Sequence, residues 1–228
     1  MSARAGRFPW VTTAICAIAM MGVAWLAWIF LPSVGVLLRG DRVQKTYYIP
    51  SRSMLPTLAV NDRVMPQAVT VSALRRGQVV IFQSGKEVRV ARLVGLPGDV
   101  VQMLEGRVWV SGQRAGLRFV GAGPATEDGE PTRLFAERLP GEDHWHRILD
   151  TGVSEGDDVS PLKLPPGKLY LLGDNRDRAA DSRYPLDVGG VAQVSTSDVI
   201  GVVDILYWSA ARSRIGRPID EVVAGGTS

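Results

Sequence analysis

Apolar residues divide the chain into two unlike parts. No charged side chain occurs between Arg7 and Arg39, and the stretch from Trp10 to Leu31 is almost continuously apolar. At roughly 1.5 Å of rise per residue, a helix of that length covers about 30 Å, the thickness of a bilayer's hydrocarbon core. A cleaved secretory signal has a shorter apolar region, usually about 7–15 residues, whereas this run continues through Trp25, Trp28 and Phe30. The pattern predicts a transmembrane anchor over residues 10–32, after a short segment 1–9 and before a juxtamembrane linker 33–46. Arg4 and Arg7 flank one side and Arg39, Arg42 and Lys45 the other, so charge alone sets no orientation.

Beyond the linker, short β-branched runs alternate with Gly, Pro and Asp. Residues 78–82, 87–94, 107–110, 168–172 and 199–208 read as strands, with Ser84-Gly85 before Lys86 as a hairpin turn. The prediction is a mainly β chain, an antiparallel β domain formed by 47–111 and 167–210. Residues 112–166 are rich in Gly, Pro, Glu and Asp with weak alternation, and read as an insert or small second lobe. Residues 211–228 read as a surface-exposed or frayed C-terminal tail.

Composition narrows the function classes. Hydrophobic residues make up 46% of the 228, enough for one substantial core, which excludes a disordered chain. The formal charge of +3 suits a protein lying against anionic lipid, and no basic run marks a nucleic-acid site. The single cysteine, Cys16, lies in the apolar run and forms no intrachain disulfide. Metal-ligand spacing is absent from the sequence, so no metal or other cofactor is expected. Lysine is scarce: Lys45, Lys86, Lys163 and Lys168 are the whole set.

Candidate chemistry begins at Ile49-Pro50-Ser51-Arg52-Ser53-Met54-Leu55-Pro56-Thr57-Leu58. Pro50 and Pro56 bracket the segment and prevent a regular helix or ladder, so Ser51 and Ser53 sit on a fixed irregular stretch. Such a loop suits a presented hydroxyl nucleophile, with a backbone N–H and a second hydroxyl nearby for an oxyanion. Two further blocks follow in order, Arg92-Leu93-Val94-Gly95-Leu96-Pro97-Gly98-Asp99 and Gly173-Asp174-Asn175-Arg176-Asp177 continuing to Asp181-Ser182-Arg183-Tyr184.

Together these three blocks resemble the nucleophile, lysine and C-terminal boxes of the bacterial type I signal peptidases, a serine–lysine peptidase family. The resemblance implies an N-terminal transmembrane helix followed by a signal-peptidase-like β domain, anchored in the bacterial inner membrane by a single pass with the β domain on the outer side. It implies a serine endopeptidase that removes signal peptides from exported preproteins, so its partners are signal peptides and the lipid bilayer. By the same resemblance Ser53 is the nucleophile, its N–H and the Ser51 hydroxyl form the oxyanion hole, and Asp181 and Arg183 are a supporting ion pair.

The resemblance departs from the family at the base. The family's lysine immediately precedes the arginine of the second box, and that position is Ala91, whose methyl group accepts no proton. The serine that steadies the lysine in the family is replaced by Ala179. No substitute stands out: Arg89 shares a strand face with Ala91 but stays protonated, and Lys86 has the opposite parity. His144 and His146 lie in the insert and are assigned to packing or surface hydrogen bonding. The alternative function is a catalytically silent homologue that binds signal peptides or membrane partners.

Overall fold

The computed structural model describes residues 9–37 and 45–220, and the chain divides into two compact units, 1–40 and 41–228. The flanking charges Arg4, Arg7, Arg39 and Arg42 lie outside the described residues, as do residues 221–228 of the expected tail. In the first unit a single helix, α1, runs Pro9–Leu37. Its Thr13–Leu31 section is long and apolar enough to cross a membrane. The side chains of that section are almost all exposed, so α1 presents apolar surface all round rather than one buried stripe.

The second unit is built from antiparallel sheets. A five-stranded sheet runs in the order Val194–Ser195, Lys168–Leu172, Glu87–Gly95, Val79–Ser84, Val199–Val203. Its centre is the hairpin anticipated at Ser84-Gly85: Ser84 pairs with Glu87 across a two-residue turn, where Gly85 adopts a φ of 58°. That left-handed conformation is why glycine belongs there. Alternation along the hairpin sends Val80, Phe82, Ala91 and Leu93 into one core cluster with Leu169 and Leu171. Val79 and Ile81 enter another with Ile49, Met54 and Leu58 from the serine segment. The serine segment is thus fastened to the sheet by its own apolar residues.

Three expectations change. The predicted 199–208 strand is two strands, Val199–Val203 and Leu206–Trp208, in different sheets. The break falls where the chain meets its own C-terminal segment: the Asp204 carbonyl accepts the Ile219 N–H at 2.8 Å, and Ile205 bridges Pro218. The tail beyond Ala210 is folded over its described part. Ile215 is buried, Ile219 packs on the core, and the Asp220 carboxylate pairs with a buried arginine. The weakly patterned stretch 112–166 holds regular strands. Gly116–Ala122, Arg133–Arg138 and His146–Asp150 form their own sheet, while Val159–Lys163 pairs with Val100–Leu104. Weak alternation has a physical cause here, because Phe119 and Val120 lie exposed on the Gly116–Ala122 strand.

Candidate active site

The serine segment is held at both of its ends and from behind. The Ile49 N–H donates to the Asp62 carbonyl at 2.9 Å, and the Asn61 N–H donates to the Ile49 carbonyl. Met54 and Leu58 are fully buried and act as the apolar foot of the loop. From behind, the third block reaches in: the Asn175 N–H donates to the Ser53 carbonyl at 3.0 Å, and Asn175 Nδ2 donates to the Arg52 carbonyl at 3.1 Å. Gly173 makes this approach feasible, since a Cβ there would meet the Ser53 carbonyl oxygen at 2.7 Å and the Ala179 methyl as well. With both carbonyls engaged, the hydroxyls are turned to the surface. Ser51 Oγ and Ser53 Oγ lie 3.1 Å apart, Ser51 exposed and Ser53 half-buried.

These hydroxyls border a groove of about 650 Å³ whose lining also includes Ala91, Ala179 and Asp181. The fold therefore brings together residues that lie up to 130 positions apart in the three sequence blocks. One wall is the strand Glu87–Gly95. Its neighbour Lys168–Leu172 pairs with it only from Arg92 onward, so residues 87–91 keep an unpaired edge toward the groove. An open edge of this kind accepts an extended peptide as an added strand. Arg89 reaches across the groove wall to donate to the Gly189 carbonyl at 2.8 Å and to pair with Glu87. Among the described residues the lining contains neither lysine nor histidine.

Behind the groove the chemistry is the reverse. Arg183 grips Asp181 through two bonds of 2.9 Å, and Asp181 in turn accepts the Gly173 N–H at 3.0 Å. Burial opposes the Arg183 charge, but the Asp181 carboxylate outweighs it and raises the guanidinium above its usual range. The pair thus fixes the backbone against which Ala179 and the Ser53 carbonyl pack.

Arg92, one residue from Ala91 and on the opposite strand face, is fully buried. It donates to Asp174 at 2.7 and 2.6 Å and to Asp220 at 2.9 and 2.8 Å, and Thr57 donates its hydroxyl to Asp174. Burial opposes this charge too, and the two carboxylates overcome it, raising Arg92 well above its ordinary value. Asp220 is held below the usual carboxylate range by Arg92 and His144, against its own burial.

A second buried cluster was not legible in the sequence. His146 lies between Glu142, 2.9 Å from Nδ1, and Glu137, 3.0 Å from Nε2, so both ring nitrogens face carboxylates, an arrangement that favours the imidazolium. Burial and the Arg92 charge oppose that proton, yet the carboxylates raise His146 above its normal range. Arg176 of the third block pairs with Glu137 in turn. The expected packing role of His146 is thus a buried ionic one, while His144 is half-exposed near Asp220 and Glu142. Arg92 and Asp174 had a sequence signal, since they sit inside the boxes. Glu137, Glu142 and Asp220 had none, because each lies in the insert or tail and its partner is far away in the chain.

Comparison with known proteins adds an independent line. The model of the family described as signal peptidase, peptidase S26, matches residues 20–208. Signal peptidase I of Bacillus amyloliquefaciens is 26% identical over 173 residues, covering 75% of this chain and 82% of that protein. Signal peptidase I of Pseudomonas fluorescens is 30% identical over 198 residues, covering 76% of this chain and 68% of the relative. A solved signal peptidase I from Enterococcus faecalis aligns over 59% of this chain and 98% of that one, at 21% identity and a TM-score of 0.34.

Proposed function

This chain belongs to the signal peptidase family, peptidase S26, and on that premise we propose that it is a serine endopeptidase of the signal peptidase I type, which removes signal peptides from exported preproteins. The observation that carries the proposal is the convergence of Ser51, Ser53 and the open 87–91 strand edge on one groove. The precursor adds to that edge as an extended strand, and shallow apolar walls favour small side chains. Ser53 Oγ attacks the scissile carbonyl, while the Ser53 N–H and the Ser51 hydroxyl receive the developing oxyanion. The Ser53 proton passes to groove water and on to the leaving amine as the C–N bond breaks, which releases the mature chain and leaves an ester on Ser53 that a second water hydrolyses. Asp181 and Arg183 are positioning residues, acting through Gly173 and the loop around Ala179. Helix α1 anchors the chain in the bacterial cytoplasmic membrane with the β unit on the outer side, which protease accessibility in spheroplasts tests.

The test of the nucleophile is cleavage of a precursor bearing a small-x-small site by the full chain in detergent micelles. The Ser53→Ala variant is expected to lose all cleavage. Undiminished cleavage by that variant sinks the assignment.

A second reading is favoured by a specific feature. Ala91 and Ala179 line the groove together, both buried, at the two positions where the family resemblance expects the base and its hydroxyl partner. On this reading the chain binds signal peptides without cleaving them. Binding of a precursor peptide with no product formed supports it, and turnover by the unmodified chain at rates typical of peptidases eliminates it.

A further inference from the structure

The groove is not the only cavity that touches the serine segment. A separate cavity of about 340 Å³ lies on its far side, lined by Arg52, Leu55, Val60, Ala125 and Asn175 among others. The two spaces share Pro50, Ser51 and Arg178, so the serine segment is the partition between them. An extended peptide that fills the groove and passes Ser53 has this second cavity to enter. Resting on the peptidase reading, we propose that the second cavity is the binding subsite for the residues that follow the scissile bond, the first residues of the mature chain.

Two features of the cavity fit a passing polypeptide. The first is an unspent acceptor. Asn175 is buried, its Nδ2 is committed to the Arg52 carbonyl, and its Oδ1 finds no hydrogen-bond partner among the described residues. A buried carbonyl oxygen left empty is costly, and once the cavity's outer wall shifts to uncover it, the N–H of an extended chain running beside the serine segment is the complementary donor. Leu55 and Val60 supply apolar floor for an adjoining side chain.

The second feature is the cover. The loop 124–128 from the insert forms the outer wall, with Glu127 paired to Arg52 at 2.9 Å and Asp128 to Arg178 at 3.4 Å. These pairs are exposed, so they hold the wall in register at little energetic cost to opening it. The insert thereby contributes one side of the substrate path, and Asn175 is a backbone-binding residue as well as a clamp on the serine loop.

The experiment uses the full chain in micelles in the Ser53→Ala background, so that peptides stay intact. Two fluorescent peptides with the same small-x-small segment are compared by anisotropy, a short one ending at the scissile residue and a long one continuing several residues further. The long peptide is expected to bind roughly tenfold tighter, and Ala125→Trp is expected to remove that gain while leaving the short peptide's affinity unchanged. Methylating the backbone nitrogens after the cut one at a time is expected to abolish most of the gain at a single position. Equal binding of the two peptides overturns the subsite, as does a gain that survives both Ala125→Trp and every methylated peptide. If neither peptide binds, the peptidase reading fails and the subsite falls with it.

Discussion

Ala91 and Arg92 are neighbours on one strand, and they belong to two regions with opposite electrostatic character. On the Ala91 side, the groove has hydroxyls and an open edge but, among the described residues, neither lysine nor histidine. On the Arg92 side, charge is buried densely, and the guanidinium is matched by Asp174 and Asp220. The contrast separates two jobs that are usually described together. Charges that shape the loop persist as a set, because removing one member leaves its partners buried and uncompensated. Ala91 instead packs in an apolar cluster with Val80 and Leu93, so the fold at this position needs no charge.

That contrast is sharpened first by putting the missing pair back. The double variant Ala91→Lys with Ala179→Ser is expected to raise precursor cleavage by about 10²–10⁴-fold, the usual contribution of a general base. Equal rates in parent and double variant would show that the groove has more wrong with it than one absent amine. Next in size is the opposite manipulation. Arg92→Met leaves Asp174 and Asp220 without their cation and is expected to destabilise the fold by about 3–5 kcal/mol, read from the denaturant midpoint. A cost near zero would mean that the charge cluster is incidental.

Gly173→Ala tests the join between the two regions. The new methyl group presses on the Ala179 side chain and the Ser53 carbonyl, with an expected loss of about 1–3 kcal/mol in thermal or chemical unfolding. Peptide binding in the groove should weaken with it, because the serine loop must move to make room. Unchanged binding in a destabilised variant would uncouple the third block from the loop.

The smallest effect is a pH dependence. His146 has a folded-state pKa above its unfolded value, so its contribution to stability is fully present below about pH 6.5, the ordinary imidazole value, and is lost as pH rises through the folded pKa. Unfolding measured across this range should show stability falling with pH in the parent, and His146→Gln should flatten that component. A parent whose stability rises across the same window would contradict an imidazolium between Glu137 and Glu142.

The same division governs what could be read from sequence. Ser51, Ser53, Ala91, Ala179, Asp181 and Arg183 were legible because each lies within a short contiguous motif, and the fold gathers them around one groove. The hairpin at Gly85 was legible because turn chemistry is local. Asp220, Glu137 and Glu142 were not, since an isolated acidic residue looks like a solvated one until its partner is known. The strands of 112–166 were hidden in the sequence for a related reason. A sheet with apolar side chains on its exposed face breaks the alternation by which strands are recognised.

The pairing of Arg92 with Asp220 spans 128 positions, and this separation bears on how the protein is made. During synthesis the serine loop and the central hairpin emerge well before the carboxylate that completes the Arg92 cluster, which lies 128 positions further along the chain than its arginine. Arg214, which donates to the Thr57 carbonyl at the back of the same loop, arrives equally late. Long-range closures of this kind are slow steps in folding. The nascent chain therefore carries an unfinished loop until residues 214–220 have emerged, and the serine segment becomes rigid only after these distant residues have joined it.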